Sequence, residues 1–201
     1  MSNPDVAIID GGGANIASLQ YALERLGATS KLSSDAATIR GASHVILPGV
    51  GAAAAAMRKL RDHDLVALIP QLEQPVLGIC LGMQLLGAGS DEDNAECIGV
   101  FPEHAIKLDA SPETPVPNMG WCRIKRFGNS PLTEGIEDGS WFYFVHSYAL
   151  PVGKNTIASA THTSEFSAII AKDNFFAAQF HPERSSSAGA KLLRNFLEMR
   201  T

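Results

Sequence analysis

The sequence predicts an α/β chain: a mostly parallel sheet flanked by helices in three layers, with an antiparallel β extension in the second half. Two observations carry that expectation. Through the first half, short continuous apolar runs of the kind buried on both faces of a parallel sheet alternate with stretches whose apolar residues recur at helical spacing. From about Glu96 to Ala178 the texture changes to short β-rich runs separated by Pro, Gly, Asn and Asp, as an antiparallel extension of the same sheet would require.

Each element follows in turn. "VAIID" (Val6–Asp10) reads as a buried strand, and Ile16, Leu19, Leu23 and Leu26 then recur at helical spacing, with Gly27 placed where a helix would end. "HVILP" (His44–Pro48) is a second strand, followed by "AAAAAMRKLRDHDL", a helix of strong intrinsic propensity. "PVLGIC" (Pro75–Cys80) and the helix from Leu81 complete a βα series, which calls for parallel strands covered on both faces. "IGVF", "WFYFVHSYAL", "TIASAT" and "SAIIAK" are the β-rich runs of the second half. "FFAAQF" is a further strand and "AGAKLLRNFLEMR" a closing amphipathic helix. No repeat, linker or low-complexity segment divides the chain, so residues 1–201 are expected to form one domain.

Composition narrows the function. A length of 201 residues suffices for a substantial core without disulfides or a structural metal. A net charge of −5 gives no basic footprint, which argues against nucleic acid or an anionic membrane as partner. The chain shows no membrane-spanning apolar run, and "MSNPDVAIID" lacks the features of a signal peptide, so a cytoplasmic location is expected. Three widely spaced cysteines, Cys80, Cys97 and Cys122, fit neither a disulfide framework nor a zinc site and read as free thiols.

Cys80 stands apart. In "GICLG" it lies between Gly78 and Gly82 where the apolar pattern switches from strand to helix, the layout of a nucleophile elbow. A free cysteine is also a common core residue, so the elbow gains weight only with its partners. In "QFHPERS", His181 and Glu183 are two apart at the end of a predicted strand, pointing to one side, and Pro182 restrains the backbone between them. Imidazole followed by carboxylate is what a thiol nucleophile requires: His181 to take the proton and Glu183 to orient the ring. In "LPGVGA", Gly49 and Gly51 follow a strand and let backbone N–H groups turn towards a ligand, as an oxyanion hole demands, with the N–H of Leu81 as a second donor. Such glycines also serve a plain tight turn.

Other candidates fall away. "DGGGANI" lacks the third glycine of a dinucleotide fingerprint, Ile16 standing in its place, and no P-loop pattern occurs. His44, His63, His104 and His162 show no metal-ligand spacing, and no cofactor is expected.

Taken together, "PGVG", "GICLGMQLL" and "QFHPE", in this order and across almost the whole chain, resemble the class I (triad-type) glutamine amidotransferases. Within that group "LPGVG", "VPNMGW" (Val116–Trp121) and "YFVHSY" (Tyr143–Tyr148) resemble the glutaminase subunits of imidazole glycerol phosphate synthase, an enzyme of histidine biosynthesis. The resemblance implies a flavodoxin-like fold and hydrolysis of L-glutamine to glutamate and ammonia, the ammonia passing to a (β/α)₈-barrel cyclase partner in a heterodimer. On the family pattern Cys80, His181 and Glu183 form the triad, and Val50 and Leu81 donate to the oxyanion. Gly51, Gln84, His146, Ser147 and Tyr148 hold the glutamine backbone, and Asn15, Trp121 and Arg184 face the cyclase.

Two positions depart from the pattern. The family often has histidine where this chain has Asn118, and asparagine where it has Cys122, both expected in the interface strip. An amidotransferase subunit of another synthase, a stand-alone γ-glutamyl or cysteine hydrolase, and a non-catalytic binding module on the same scaffold remain the alternatives. The intact elbow and His-Pro-Glu argue against the last.

Overall fold

The computed structural model describes residues 4–11 and 16–200. In chain order the strands are β1 (Asp5–Ile9), β2 (Thr29–Ser33), β3 (His44–Gly49), β4 (Val76–Cys80), β5 (Gly89–Ser90), β6 (Ala95–Glu96), β7 (His104–Lys107), β8 (Asn118–Arg126), β9 (Trp141–His146), β10 (Tyr148–Ala149), β11 (Thr156–Thr161), β12 (Glu165–Lys172) and β13 (Phe175–Ala178). The α-helices are α1 (Ile16–Arg25), α2 (Ala36–Gly41), α3 (Ala53–Asp62), α4 (Leu65–Leu68), α5 (Leu81–Leu86) and α6 (Ser186–Glu198).

Nine strands form one sheet in the order β2-β1-β3-β4-β13-β12-β11-β8-β9. It is parallel from β2 to β13 and antiparallel from β12 onward. The central strands are buried on both faces, and their period of two divides them between two cores. Val6 and Ile8 of β1 pack with Leu19 and Leu23 of α1 and Leu192 and Phe196 of α6, whereas Ala7 and Ile9 pack with Ile39 of α2, Met57 and Leu60 of α3 and Leu85 of α5. This is the three-layer arrangement expected from the continuous apolar runs.

Several elements differ in detail from the sequence reading. "IGVF" is not a strand: the N–H groups of Ile98, Gly99 and Phe101 donate to the carbonyls of Leu85, Gly87 and Leu86, occupying acceptors left open at the end of α5. The alanine-rich helix breaks at Asp64, whose φ of 56° starts the short α4. "WFYFVHSYAL" divides at Ser147. β9 stays in the main sheet while β10 joins a second, four-stranded sheet, β10-β7-β5-β6, so part of the β extension is not on the main sheet. That division brings Tyr148 round to the C-terminal ends of the parallel strands.

Candidate active site

The parallel register gathers the site at one end of β3, β4 and β13. Gly49 pairs with Cys80, and Ala178 pairs with Ile79, so the segments following β3 and β13 emerge beside the end of β4. This is the crevice at the carboxyl ends of the strands where open α/β sheets bind ligands.

Cys80 ends β4 and opens α5 with φ 54° and ψ −111°. A side chain in this region costs of order 1–3 kcal/mol and persists only where its surroundings fix it. Those surroundings are the two glycines. A Cβ at Gly78 would meet Leu86 Cδ1 at 2.8 Å and the Gly82 carbonyl oxygen at 2.9 Å, and one at Gly82 would overlap the Leu47 carbonyl oxygen. The G-x-C-x-G spacing lets α5 sit directly on β3 and β4, and the cysteine is forced into the turn.

His181 follows β13, and its Nδ1 is paired with Glu183 Oε1 at 2.9 Å. The two do not share a strand face, as the sequence reading supposed. Pro182–Arg184 is a 3₁₀ turn, and it folds the carboxylate back beneath the ring. The backbone is pinned by the His181 N–H donating to the Tyr143 carbonyl and by Ser185 Oγ donating to the His181 carbonyl. Burial alone would lower the imidazole pKa. Hydrogen bonding and charge from Cys80 and Glu183 outweigh it and raise the value to about 10. Glu183 Oε2 is buried without a hydrogen-bond partner among the described residues.

These groups open onto a cleft of about 320 Å³. Cys80, His181 and Glu183 line it together with Val50 and Leu81, the expected oxyanion donors, and with Gly51, Gln84, His146, Ser147 and Tyr148. Gln84 Nε2 donates to the Tyr148 carbonyl at 2.9 Å, and His146 Nδ1 donates to the same oxygen at 2.9 Å. The second nitrogen of His146 faces Asn118 Nδ2 at 3.1 Å, so both ring nitrogens are engaged by the protein and the ring supports the cleft wall. Burial depresses its pKa to about 4 and keeps it neutral.

The residues expected to face a partner separate. Arg184 lines the cleft and lies over the Tyr143 ring, 4.6 Å from its centroid. Trp121 is 47% exposed on the outer face of β8, edge-on to Tyr143 at 5.9 Å and away from the cleft. Asn15 lies outside the described residues. The two departures differ in exposure: Asn118 is buried, whereas Cys122 lines an open groove beside Trp121 and Arg123. Alternation along β8 turns Met119, Trp121 and Arg123 outward, while Asn118 is buried and bonded to His146, and the half-buried Cys122 thiol donates to Asn118 Oδ1 at 3.6 Å.

Sequence reasoning missed Glu92, Pro117 and Val145 in the cleft wall. Glu92 Oε2 accepts from the Ala53 N–H at 2.7 Å and so supplies the cap that Ala52 cannot give α3. Its role depends on a partner 39 residues away in sequence, and no local pattern signals it. Among the described residues no cluster of His, Cys, Asp or Glu is placed to hold a metal ion, and no helix is long and apolar enough to cross a membrane.

Residues 7–199 match the family model "Glutamine amidotransferase class-I". The chain is 46% identical over 205 residues to "Imidazole glycerol phosphate synthase subunit HisH 1" of Vibrio vulnificus, covering 99% of this chain and 100% of that protein. It is 50% identical over 195 residues to "Imidazole glycerol phosphate synthase subunit HisH" of Pectobacterium atrosepticum, covering 96% and 99%. Among solved structures, PurLQS from Thermotoga maritima superposes with a TM-score of 0.71 at 17% identity, covering 98% of this chain and 98% of that one, a likeness of fold. The chain therefore belongs to the class-I glutamine amidotransferase family, alongside relatives named as the HisH subunit of imidazole glycerol phosphate synthase.

Proposed function

We propose that this chain is the glutaminase subunit of imidazole glycerol phosphate synthase, acting in the cytoplasm as one amidotransferase domain over residues 1–201. It hydrolyses L-glutamine and hands the ammonia to a (β/α)₈-barrel cyclase subunit, with which it forms a heterodimer, for the making of imidazole glycerol phosphate. The observation that carries the chemistry is the Glu183–His181 pair set against Cys80 on its strained turn, at the floor of a cleft of small-molecule size. The near-full-length likeness to HisH proteins supports the pathway.

In this reading His181, whose raised pKa keeps it charged at neutral pH, already holds the proton that Cys80 has given up, and the Cys80 sulfur attacks the side-chain amide carbon of glutamine beside that imidazolium. The amide oxygen takes up the negative charge and is met by the N–H groups of Val50 and Leu81. The tetrahedral species collapses as the C–N bond breaks, and His181 returns its proton to the departing nitrogen, releasing ammonia and leaving a thioester. Water, giving a proton to His181, attacks the thioester carbon, and glutamate leaves with the thiol restored. Gly51, Gln84, Ser147 and Tyr148 hold the substrate's backbone end, with His146 behind them. Glu92 and Glu183 are the carboxylates of the cleft wall, and Glu92 is the one left to face the substrate's ammonium group. Trp121 and Arg184, with Asn15, meet the cyclase.

The test is to purify the chain with its barrel cyclase and follow glutamate and imidazole glycerol phosphate separately. Cys80→Ala should abolish glutamine-dependent synthesis, whereas ammonium salts should still support it. Full glutaminase turnover by the chain alone, with no gain on adding the cyclase, would instead identify a stand-alone hydrolase.

A further inference from the structure

A single backbone carbonyl orders the buried amides behind the cleft. The Tyr148 oxygen can only accept, so the two groups that reach it must both donate: Gln84 through Nε2 at 2.9 Å and His146 through Nδ1 at 2.9 Å. The first contact fixes which way the Gln84 amide faces. Its other N–H then donates to Gln179 Oε1 at 3.2 Å. With that oxygen engaged as an acceptor, the remaining end of the Gln179 amide is necessarily Nε2, and it donates to Cys80 Sγ at 3.8 Å. The His146 branch is fixed by the same logic, since Nδ1 carries the proton and Nε2 accepts from Asn118 Nδ2 at 3.1 Å.

Gln179 is held where this matters. It is fully buried, it follows the Ala178–Ile79 pair of β13 and β4, and its backbone N–H donates to the Ala168 carbonyl at 2.9 Å. Its side chain therefore stands beside Cys80 with no freedom to turn away and no exposure to the cleft.

We infer that Gln179 is a positioning residue for Cys80: its N–H holds the sulfur on the turn and favours the ionised form that attacks the substrate. The inference rests on Cys80 being the nucleophile. Two contacts on the sulfur oppose each other. The Val145 carbonyl accepts from the thiol at 3.6 Å and favours the protonated form, while the Gln179 N–H is a donor and gains strength as the sulfur becomes charged. Both lie in a buried setting where such contacts count for more than in water. Removing the Gln179 donor leaves only His181 to oppose the Val145 acceptor and shifts the sulfur towards the thiol. The charged and titratable groups facing the same space are His181 with Glu183 behind it, His146 and Tyr148, and Glu92 and Arg184 along the cleft wall.

The experiment is the rate at which iodoacetamide modifies Cys80 in the full chain across the pH range, read by mass spectrometry of the Cys80 peptide. Gln179→Met keeps the length and removes the amide, leaving the charged neighbours intact. Modification at neutral pH should slow by about tenfold or more, the size expected for one donor to a charged group, and the loss should vanish at high pH where every thiol is ionised. A side chain that merely filled space would leave the pH profile where it was. Should Gln179→Met not fold, Gln84→Met carries the test, because it leaves Gln179 in place and removes the group that fixes its orientation. It should slow modification in the same direction. A profile that superposes on the unmodified sequence in a folded variant overturns the inference. Persistence of glutaminase activity in Cys80→Ala overturns instead the reading of Cys80 as nucleophile, a separate result that the modification rates do not touch.

Discussion

Gly82 lies so close beneath the Leu47 carbonyl oxygen that a methyl carbon on it would overlap that atom. The contact joins α5, which Cys80 opens, to β3, which runs into the Gly49–Gly51 loop. Elbow and loop are therefore one packed unit. Gly82→Ala must push α5 off the sheet, because the obstructing atom is backbone and cannot rotate aside. The expected cost is about 3 kcal/mol or more, at the upper end for overpacked cores, with loss of Cys80 reactivity in whatever fraction folds. Thermal melts and alkylation of Cys80 check this, and a stable, fully reactive Gly82→Ala chain would show that the elbow tolerates displacement.

The two histidines of the site titrate in opposite directions. His146 is depressed to about 4 from 6.5, so between those values the unfolded chain binds a proton that the folded chain refuses, and stability falls as the pH is lowered through that window. Burial lowers His44 too, which adds in the same direction. His181 is raised to about 10, so its contribution is complete below pH 6.5 and is lost as the pH rises from there through 10. Stability should peak near pH 6.5. Urea midpoints measured against pH should show both limbs, and Glu183→Gln should flatten the alkaline one. A His181 imidazole titrating at or below 6.5 by NMR would contradict the assignment.

Glu92 joins α3 to the cleft through its bond to the Ala53 N–H. Glu92→Gln retains an acceptor for that N–H and removes the charge; Glu92→Ala removes both. If the carboxylate meets the substrate's ammonium group, both variants should raise KM for glutamine about tenfold with less effect on kcat. Glu92→Ala should also lose about 1 kcal/mol of stability with the cap. Kinetics with the cyclase present and thermal melts separate the two effects, and an unchanged KM in Glu92→Gln would confine the residue to capping.

What the sequence revealed, it revealed where the physics is local. The apolar run at Val76–Cys80 and the flanking glycines announce a buried strand entering a tight turn, because both features arise within a few residues. His181 and Glu183 were legible as a pair for the same reason, though the 3₁₀ turn that joins them was not. β2 escaped notice because it is an edge strand with mostly exposed residues and no apolar pattern to read. "IGVF" misled because Val100 and Phe101 are buried and Ile98 partly so, while its backbone serves α5. Gln179, Glu92 and Asn118 act through partners 99, 39 and 28 residues away, and spacing alone cannot show contacts made by the tertiary fold.

Gly49 and Gly51 flank Val50 and look alike in sequence, yet they are required for different reasons. Gly49 has ordinary strand geometry, and a Cβ there would meet Leu81 Cβ at 2.9 Å and the Gly82 nitrogen at 3.2 Å. Gly51 has open space around it but a φ of +91°. Gly49→Ala should force β3 away from the start of α5 and so separate the N–H groups of Val50 and Leu81, the two proposed oxyanion donors. The expected loss is about a hundredfold in kcat, as for the removal of one such donor, with a smaller change in KM. Gly51→Ala meets no atom and pays only backbone strain, about 1–2 kcal/mol of stability, with kcat held within about tenfold. Steady-state kinetics and melts on the two variants, each with the cyclase partner, decide between them. The reverse pattern, kcat surviving at position 49 and collapsing at 51, would mean that the conformation of the loop after Val50 governs the oxyanion contacts and that the approach of β3 to α5 does not.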